Sequence, residues 1–73
     1  MTTRKLVALS ARNQLKGTVK SIKRGDLMAE IVVTLGGQEI VSLITAGSAE
    51  RLGLKVGDQV AAVVKATEVM IAK

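Results

Sequence analysis

Hydrogen-bond donors gather near the start of the chain, in the stretch S-A-R-N-Q-L-K-G at positions 10–17. Arg12 offers a planar fork of N–H donors, and Ser10 and Asn13 add a hydroxyl and an amide. An apolar, strand-like run begins at the same place. We interpret the stretch as an anion-binding site at the edge of a sheet. The simpler alternative is that Arg12 and Asn13 only cap and solvate the start of a strand.

Two further stretches carry donors without carboxylates among them. Lys65 and Thr67 supply an ammonium and a hydroxyl near the end of the chain. The turn T-A-G-S at positions 45–48 supplies hydroxyls and, at a predicted helix start, backbone N–H groups that favour negative charge. Each has a purely structural alternative: Lys65 as a solvated edge-strand charge, Ser48 as an N-cap and Thr45 as a turn former. A site made only of donors suits an oxyanion that is fully deprotonated at pH 7, whereas phosphate would keep a proton without an acceptor.

Catalytic chemistry has little support in this sequence. The chain contains no histidine and no cysteine, and its six acidic residues fall on predicted turns, outer faces or helix starts. No two of them form a general acid–base pair, and no phosphate-binding glycine loop or carboxylate cluster for a metal cation is present. The sequence therefore predicts a binding protein rather than an enzyme, with no metal-cation site.

Size and composition indicate one domain that associates with identical chains. The 73 residues, 1–73, form a single domain in which residues 1–8 are a candidate N-terminal arm. Hydrophobic residues make up 48% of the chain, but Phe, Tyr and Trp are absent. A core this small is marginal, so association between identical chains would bury the surplus apolar surface. The net charge of +5 favours anionic partners. No apolar run approaches the roughly 20 residues of a membrane span, and we expect a cytoplasmic protein.

Alternating apolar and polar residues predict short strands joined by tight turns. The predicted strands are 14–23, 27–35, 38–44, 59–65 and 69–72, with a further short β-capable run at 6–9. Gly17 indicates a bulge or a close backbone contact, and Gly36-Gly37 a hairpin turn. Ser48 would cap a short helix that runs through Leu52 and ends at Gly53. This order predicts an all-β fold, a small OB-type β-barrel of about five strands with one short helix.

Both ends of the chain carry a family resemblance. S-A-R-N-Q-L-K-G near the start and V-K-A-T-E-V-M-I near the end resemble the signature ends of the molbindins. These are small molybdate-binding proteins whose domain recurs in transport-associated OB-type (TOBE) modules, and the resemblance spans roughly residues 9–72. It implies a homohexamer, built as a trimer of dimers, that binds molybdate, and tungstate as an alternative ligand, between subunits. The residues it implicates are Ser10, Ala11, Arg12, Asn13, Thr45, Ala46, Gly47, Ser48, Lys65, Ala66 and Thr67, with the small residues donating backbone N–H groups.

Three functions compete for this sequence. The first is binding of molybdate or tungstate for storage and homeostasis in the cytoplasm, with the chain itself as protein partner. The second is an OB-fold nucleic-acid-binding protein, which the basic charge favours. The absence of every aromatic residue opposes it, because single-strand binders stack bases on aromatic rings. The third is an oligomeric assembly module that uses anions only structurally. We expect the first, with no nucleic acid and no membrane as partner.

Overall fold

The computed structural model describes residues 10–73, which form one antiparallel sheet and one short α-helix. The elements are β1 (Asn13–Arg24), β2 (Met28–Leu35), β3 (Gln38–Thr45), α1 (Ala46–Leu52), β4 (Gln59–Val64) and a 3-10 turn (Ala66–Glu68). The strands are hydrogen-bonded in the order β3-β2-β1-β4. The predicted fold class is confirmed. The candidate arm at 1–8 and the short run at 6–9 lie outside the described residues.

β1 is the strand on which the sheet is built, because it pairs with two different neighbours along its length. Its first half, from Asn13 to Thr18, pairs with β4. Its second half, from Thr18 to Arg24, pairs with β2, with a bulge between Val19 and Ser21. Bulges bend a strand and increase its twist. The two ends of β1 are roughly 35 Å apart along the strand, and they belong to different parts of the sheet.

Gly17 occupies the point where β1 passes closest to β2. A Cβ atom at this position would lie 2.4 Å from the carbonyl oxygen of Thr34 and 2.6 Å from a methyl carbon of Leu35. Real Cβ atoms do not approach other atoms so closely. The close backbone contact expected from the sequence is confirmed, and only glycine fits there without displacing β2.

The β2–β3 connection is the hairpin that the two glycines predict. Gly36 and Gly37 have φ values of +53° and +91°, and the pair joins Leu35 to its register partner Gln38. Positive φ at both central residues is the requirement of a type I′ turn. The hairpin prediction is confirmed.

Helix α1 begins earlier than the sequence predicts. Its N-cap is Thr45, whose Oγ1 accepts a hydrogen bond of 3.1 Å from the backbone N–H of Ser48. The predicted Ser48 cap is therefore wrong: the extended backbone at Thr45 brings its hydroxyl to the first helical turn, and Ser48 lies inside that turn. Glu50 consequently lies outside the first turn. Gly53 ends the helix in the left-handed conformation, with φ of +61°, as predicted.

The core is small and made of aliphatic residues. Its buried members are Val19, Ala29, Ile31, Val33 and Ala49. The alternation predicted for β2 is confirmed, because its buried residues lie on one face of that strand. β3 is apolar on both faces, as predicted, and its outward side chains Val41 and Leu43 remain 60% and 65% exposed. The single chain thus leaves substantial apolar surface uncovered. Residues 10–73 include no helix with the length and apolarity that crossing a membrane requires.

The predicted last strand over residues 69–72 does not form in the single chain. After β4 the chain enters the 3-10 turn, which the Val69 N–H closes by donating to the Ala66 carbonyl at 3.4 Å. The residues that follow pair with no strand in the described part of the chain, and Met70 and Ile71 are 91% and 87% exposed. Residues 10–73 therefore contain four strands, and the apolar end of the chain is left uncovered.

Candidate functional site

The sheet brings the first and the last donor stretches side by side. Asn13, the first residue of β1, pairs with Val64, the last residue of β4. The next residues outward along the two chains are Arg12 and Lys65. Residues that face each other across an antiparallel pair share one side of the sheet. Arg12 and Lys65 therefore each lie one residue beyond the last β1–β4 pair, at the same end of the sheet, although 53 positions separate them in the sequence.

These two cations are exposed, and neither forms an ion pair within residues 10–73. The ion pair of this part of the chain joins Lys20 to Glu39, which lie elsewhere on the sheet. Thr67 is exposed as well. An arrangement of guanidinium, ammonium and hydroxyl donors can bind an anion from solvent, since charge-assisted hydrogen bonds are the strongest that side chains form.

Gln14, which was not among the predicted site residues, contacts the segment before β1. The side-chain amide of Gln14 donates a hydrogen bond of 3.2 Å from Nε2 to the carbonyl oxygen of Ala11. Gln14 is half-buried and paired with Val63 across to β4. Its place in the S-A-R-N-Q motif was the sequence feature that could have pointed to it.

The T-A-G-S turn lies elsewhere in the molecule. Thr45 ends β3 and pairs with Met28 at the start of β2, and β2 in turn starts beside the end of β1 at Arg24. Arg12 precedes the opposite end of β1. The registers of β1 with β2 and β4 therefore place this turn and Arg12 at opposite ends of β1.

Several donors of this turn are already engaged. The Ala46 N–H donates to the Leu27 carbonyl at 2.8 Å, so its predicted role as a ligand donor is not supported. The Ser48 N–H donates a hydrogen bond to the Thr45 Oγ1, and the hydroxyl oxygens of Thr45 and Ser48 are 2.9 Å apart. Arg51, which sequence reasoning did not single out, donates from its guanidinium to the Ser48 hydroxyl at 3.2 Å. Its spacing of three residues from Ser48 on a helix was the signal that could have found it.

An apolar groove separates the two edge strands. It has a volume of about 760 Å³ and is lined by β3 and β4 residues that include Ile40, Leu43, Val60 and Val63. Part of this lining is exposed, Leu43 at 65% and Val63 at 47%. Within residues 10–73 no group of three or more acidic, histidine or cysteine side chains is placed to hold a metal cation.

Comparison with known proteins agrees with this geometry. The model of the TOBE domain family matches residues 9–71. Molybdenum-pterin-binding protein 2 of Clostridium pasteurianum is 50% identical over 66 residues, which cover 89% of this chain and 97% of that protein. The structure of a molybdate binding protein from Sporomusa ovata superposes with a TM-score of 0.89 at 46% identity, covering 92% of this chain and all of that one.

A third comparison includes a bound ligand. The cytoplasmic molybdate-binding protein ModG, in a crystal form with molybdate bound, matches with a TM-score of 0.79 at 49% identity. The match covers 82% of this chain and 43% of that one. The fold is that of a small OB-type β domain, with exposed hydrogen-bond donors beside the β1–β4 pair. This chain belongs to the TOBE domain family, and its resemblance to the molbindins is confirmed.

Proposed function

We propose that this chain binds molybdate as the free oxyanion, with tungstate as an alternative ligand, in pockets between identical subunits. The observation that carries the proposal is the juxtaposition of Arg12 and Lys65 at one end of the sheet, away from the ion pair of the described residues. The names of its relatives support the ligand: one binds a molybdenum pterin, and two bind molybdate.

Each residue of the proposed pocket has a chemical role. Arg12 and Lys65 supply positive charge, and Ser10, Asn13 and Thr67 supply neutral donors. Ala11 and Ala66 would contribute backbone N–H groups. The turn at 45–48 contributes from a second copy through the Thr45 and Ser48 hydroxyls and the Gly47 N–H. Because no carboxylate enters the donor set, the pocket favours a fully deprotonated dianion over protonated phosphate.

Assembly of identical chains is part of this proposal. It would allow the donor clusters at opposite ends of β1 to meet between chains, and it would cover the exposed apolar groove, β3 face and C-terminal residues. A homohexamer arranged as a trimer of dimers, as in the molbindins, would satisfy both conditions. The protein then serves storage and homeostasis of the oxyanion in the cytoplasm, as a binding protein and not an enzyme.

Calorimetry with three anions and one oligonucleotide tests the proposal. Molybdate should bind tightly, while sulfate and phosphate bind much more weakly, because only a dianion of the right size fills the donor set. Equal, weak and salt-sensitive binding of all three anions, together with firm binding of a single-stranded oligonucleotide, would contradict the proposal and favour the nucleic-acid-binding alternative.

A further inference from the structure

Gln14 makes a specific contact with the anion-directed segment although it is none of the proposed ligands. Its Nε2 donates to the Ala11 carbonyl oxygen at 3.2 Å, across three positions of sequence. Gln14 itself is fixed, because it is half-buried and lies in the β1–β4 pairing opposite Val63. The segment at 10–12 precedes the strand and pairs with no strand in the described part of the chain. The amide thus ties a segment outside the sheet to a residue inside it.

The contact determines the direction of a backbone donor. The Ala11 carbonyl and the Arg12 N–H belong to one peptide unit, which is planar and trans, so the two groups point in opposite directions. When Gln14 holds the carbonyl oxygen on its own side, the Arg12 N–H is held on the opposite side. The same contact keeps the partial negative charge of that carbonyl engaged, so that it does not face an incoming anion.

We infer that Gln14 is a positioning residue of the oxyanion site. It orients the Ala11–Arg12 peptide, and with it the base of the Arg12 side chain, before the anion arrives. This inference rests on the proposed function, because it concerns the same pocket. Preorganised donors bind an anion more tightly, since less ordering is needed on binding.

The test replaces Gln14 with methionine, which keeps the length of the side chain and removes its donor. Gln59→Met is the matched control, because Gln59 also donates through Nε2, to the Thr18 hydroxyl at 3.1 Å, at the far end of β4. Calorimetry should show molybdate affinity about five-fold to ten-fold weaker in Gln14→Met, the effect of one hydrogen bond. Gln59→Met should bind like the wild type, and both variants should unfold at similar temperatures.

A spectroscopic readout separates positioning from stability. In the ¹⁵N-labelled wild type, molybdate should shift the Arg12 amide resonance and protect it from hydrogen exchange. Gln14→Met should lose most of that shift, whereas Gln59→Met keeps it. Gln14→Leu, which also removes the donor and adds no charge, is the second variant if the methionine variant does not fold, and it should weaken binding to a similar extent.

The outcomes separate a failure of the Gln14 role from a failure of the proposed molybdate-binding function. Wild-type affinity in Gln14→Met, alongside loss of binding in Arg12→Ala, would overturn the role of Gln14 and leave the function standing. Equal losses in Gln14→Met and Gln59→Met would also overturn it, because they would indicate a general loss of sheet stability. No molybdate binding by the wild type would overturn the proposed function, and the role of Gln14 with it.

Discussion

At the scale of single residues, the central feature is the placement of two like charges at the same end of the β1–β4 pair. Arg12 and Lys65 each lie one residue beyond the last pair, Asn13–Val64, and like charges on neighbouring strands repel each other. In the proposed pocket, a dianion between them would remove that repulsion and accept hydrogen bonds from both. The sequence allowed each residue to be singled out by type and motif. The family resemblance also implied that both belong to one anion site, but the β1–β4 pairing that places them at one end of the sheet joins residues more than 50 positions apart and has no local signal.

Removing either cation should weaken molybdate binding. Arg12→Ala and Lys65→Ala each delete charge-assisted hydrogen bonds of about 1.5–3 kcal/mol, which corresponds to roughly 10-fold to 150-fold in affinity. Because both residues contact one ion, the double variant should lose less than the sum of the two single losses. Calorimetry over the double-mutant cycle measures this. Lys55→Ala, which removes an exposed cation between α1 and β4, is the control and should bind normally.

At the scale of secondary structure, the positions of the donors depend on how β1 is shaped and how α1 begins. Periodicity and turn residues were enough to predict four strands, the glycine hairpin and the end of the helix. They were not enough for the helix start, because Ser48 and Thr45 are both good caps and only the backbone conformation decides between them. They also failed for residues 69–72, whose short apolar run is typical of a strand but has no partner strand in the described chain.

Gly17 should be essential to the close approach of β1 and β2. Gly17→Ala places a methyl group within 2.4 Å of the Thr34 carbonyl oxygen, and such overpacking costs typically about 1–3 kcal/mol in the free energy of unfolding. Urea unfolding measures the loss. Gly47→Ala is the matched control, because its added Cβ would meet no atom within 4 Å. An equal effect of both substitutions would show that the close approach at Gly17 does not matter.

Thr45 should carry the capping energy of α1. Thr45→Ala removes the acceptor of the Ser48 N–H and should lower the free energy of unfolding by about 1 kcal/mol. Ser48→Ala keeps that acceptor, and we expect a change within about 0.5 kcal/mol. Thermal unfolding of the two variants compares them, and a larger loss in Ser48→Ala would restore Ser48 as the cap.

At the scale of the whole molecule, apolar surface exceeds what one chain can bury. The composition alone, 48% hydrophobic with no aromatic residue, predicts association. The structure locates the uncovered surface on the outward face of β3, in the groove between β3 and β4, and at the C-terminal end. Composition could not locate it, because exposure depends on which face of each strand the core uses.

Assembly should depend on the C-terminal apolar residues. Met70 is 91% exposed in the single chain, and Met70→Asp would place a charge in any interface that covers it. Light scattering should show wild-type particles of about six times the 7.6 kDa chain and smaller particles for Met70→Asp. Lys23→Asp, on the exposed side of β1, should leave the particle size unchanged. A wild-type monomer would contradict assembly altogether.

The most direct test of the account is to locate the ion itself. Crystals soaked in molybdate, with anomalous scattering measured at the molybdenum edge, should show a peak within hydrogen-bond distance of both the Arg12 guanidinium and the Lys65 Nζ. A donor from another copy of the chain should complete the same pocket. A molybdenum peak away from these two side chains, or no peak in a crystal whose Arg12 and Lys65 face open solvent, would contradict the account.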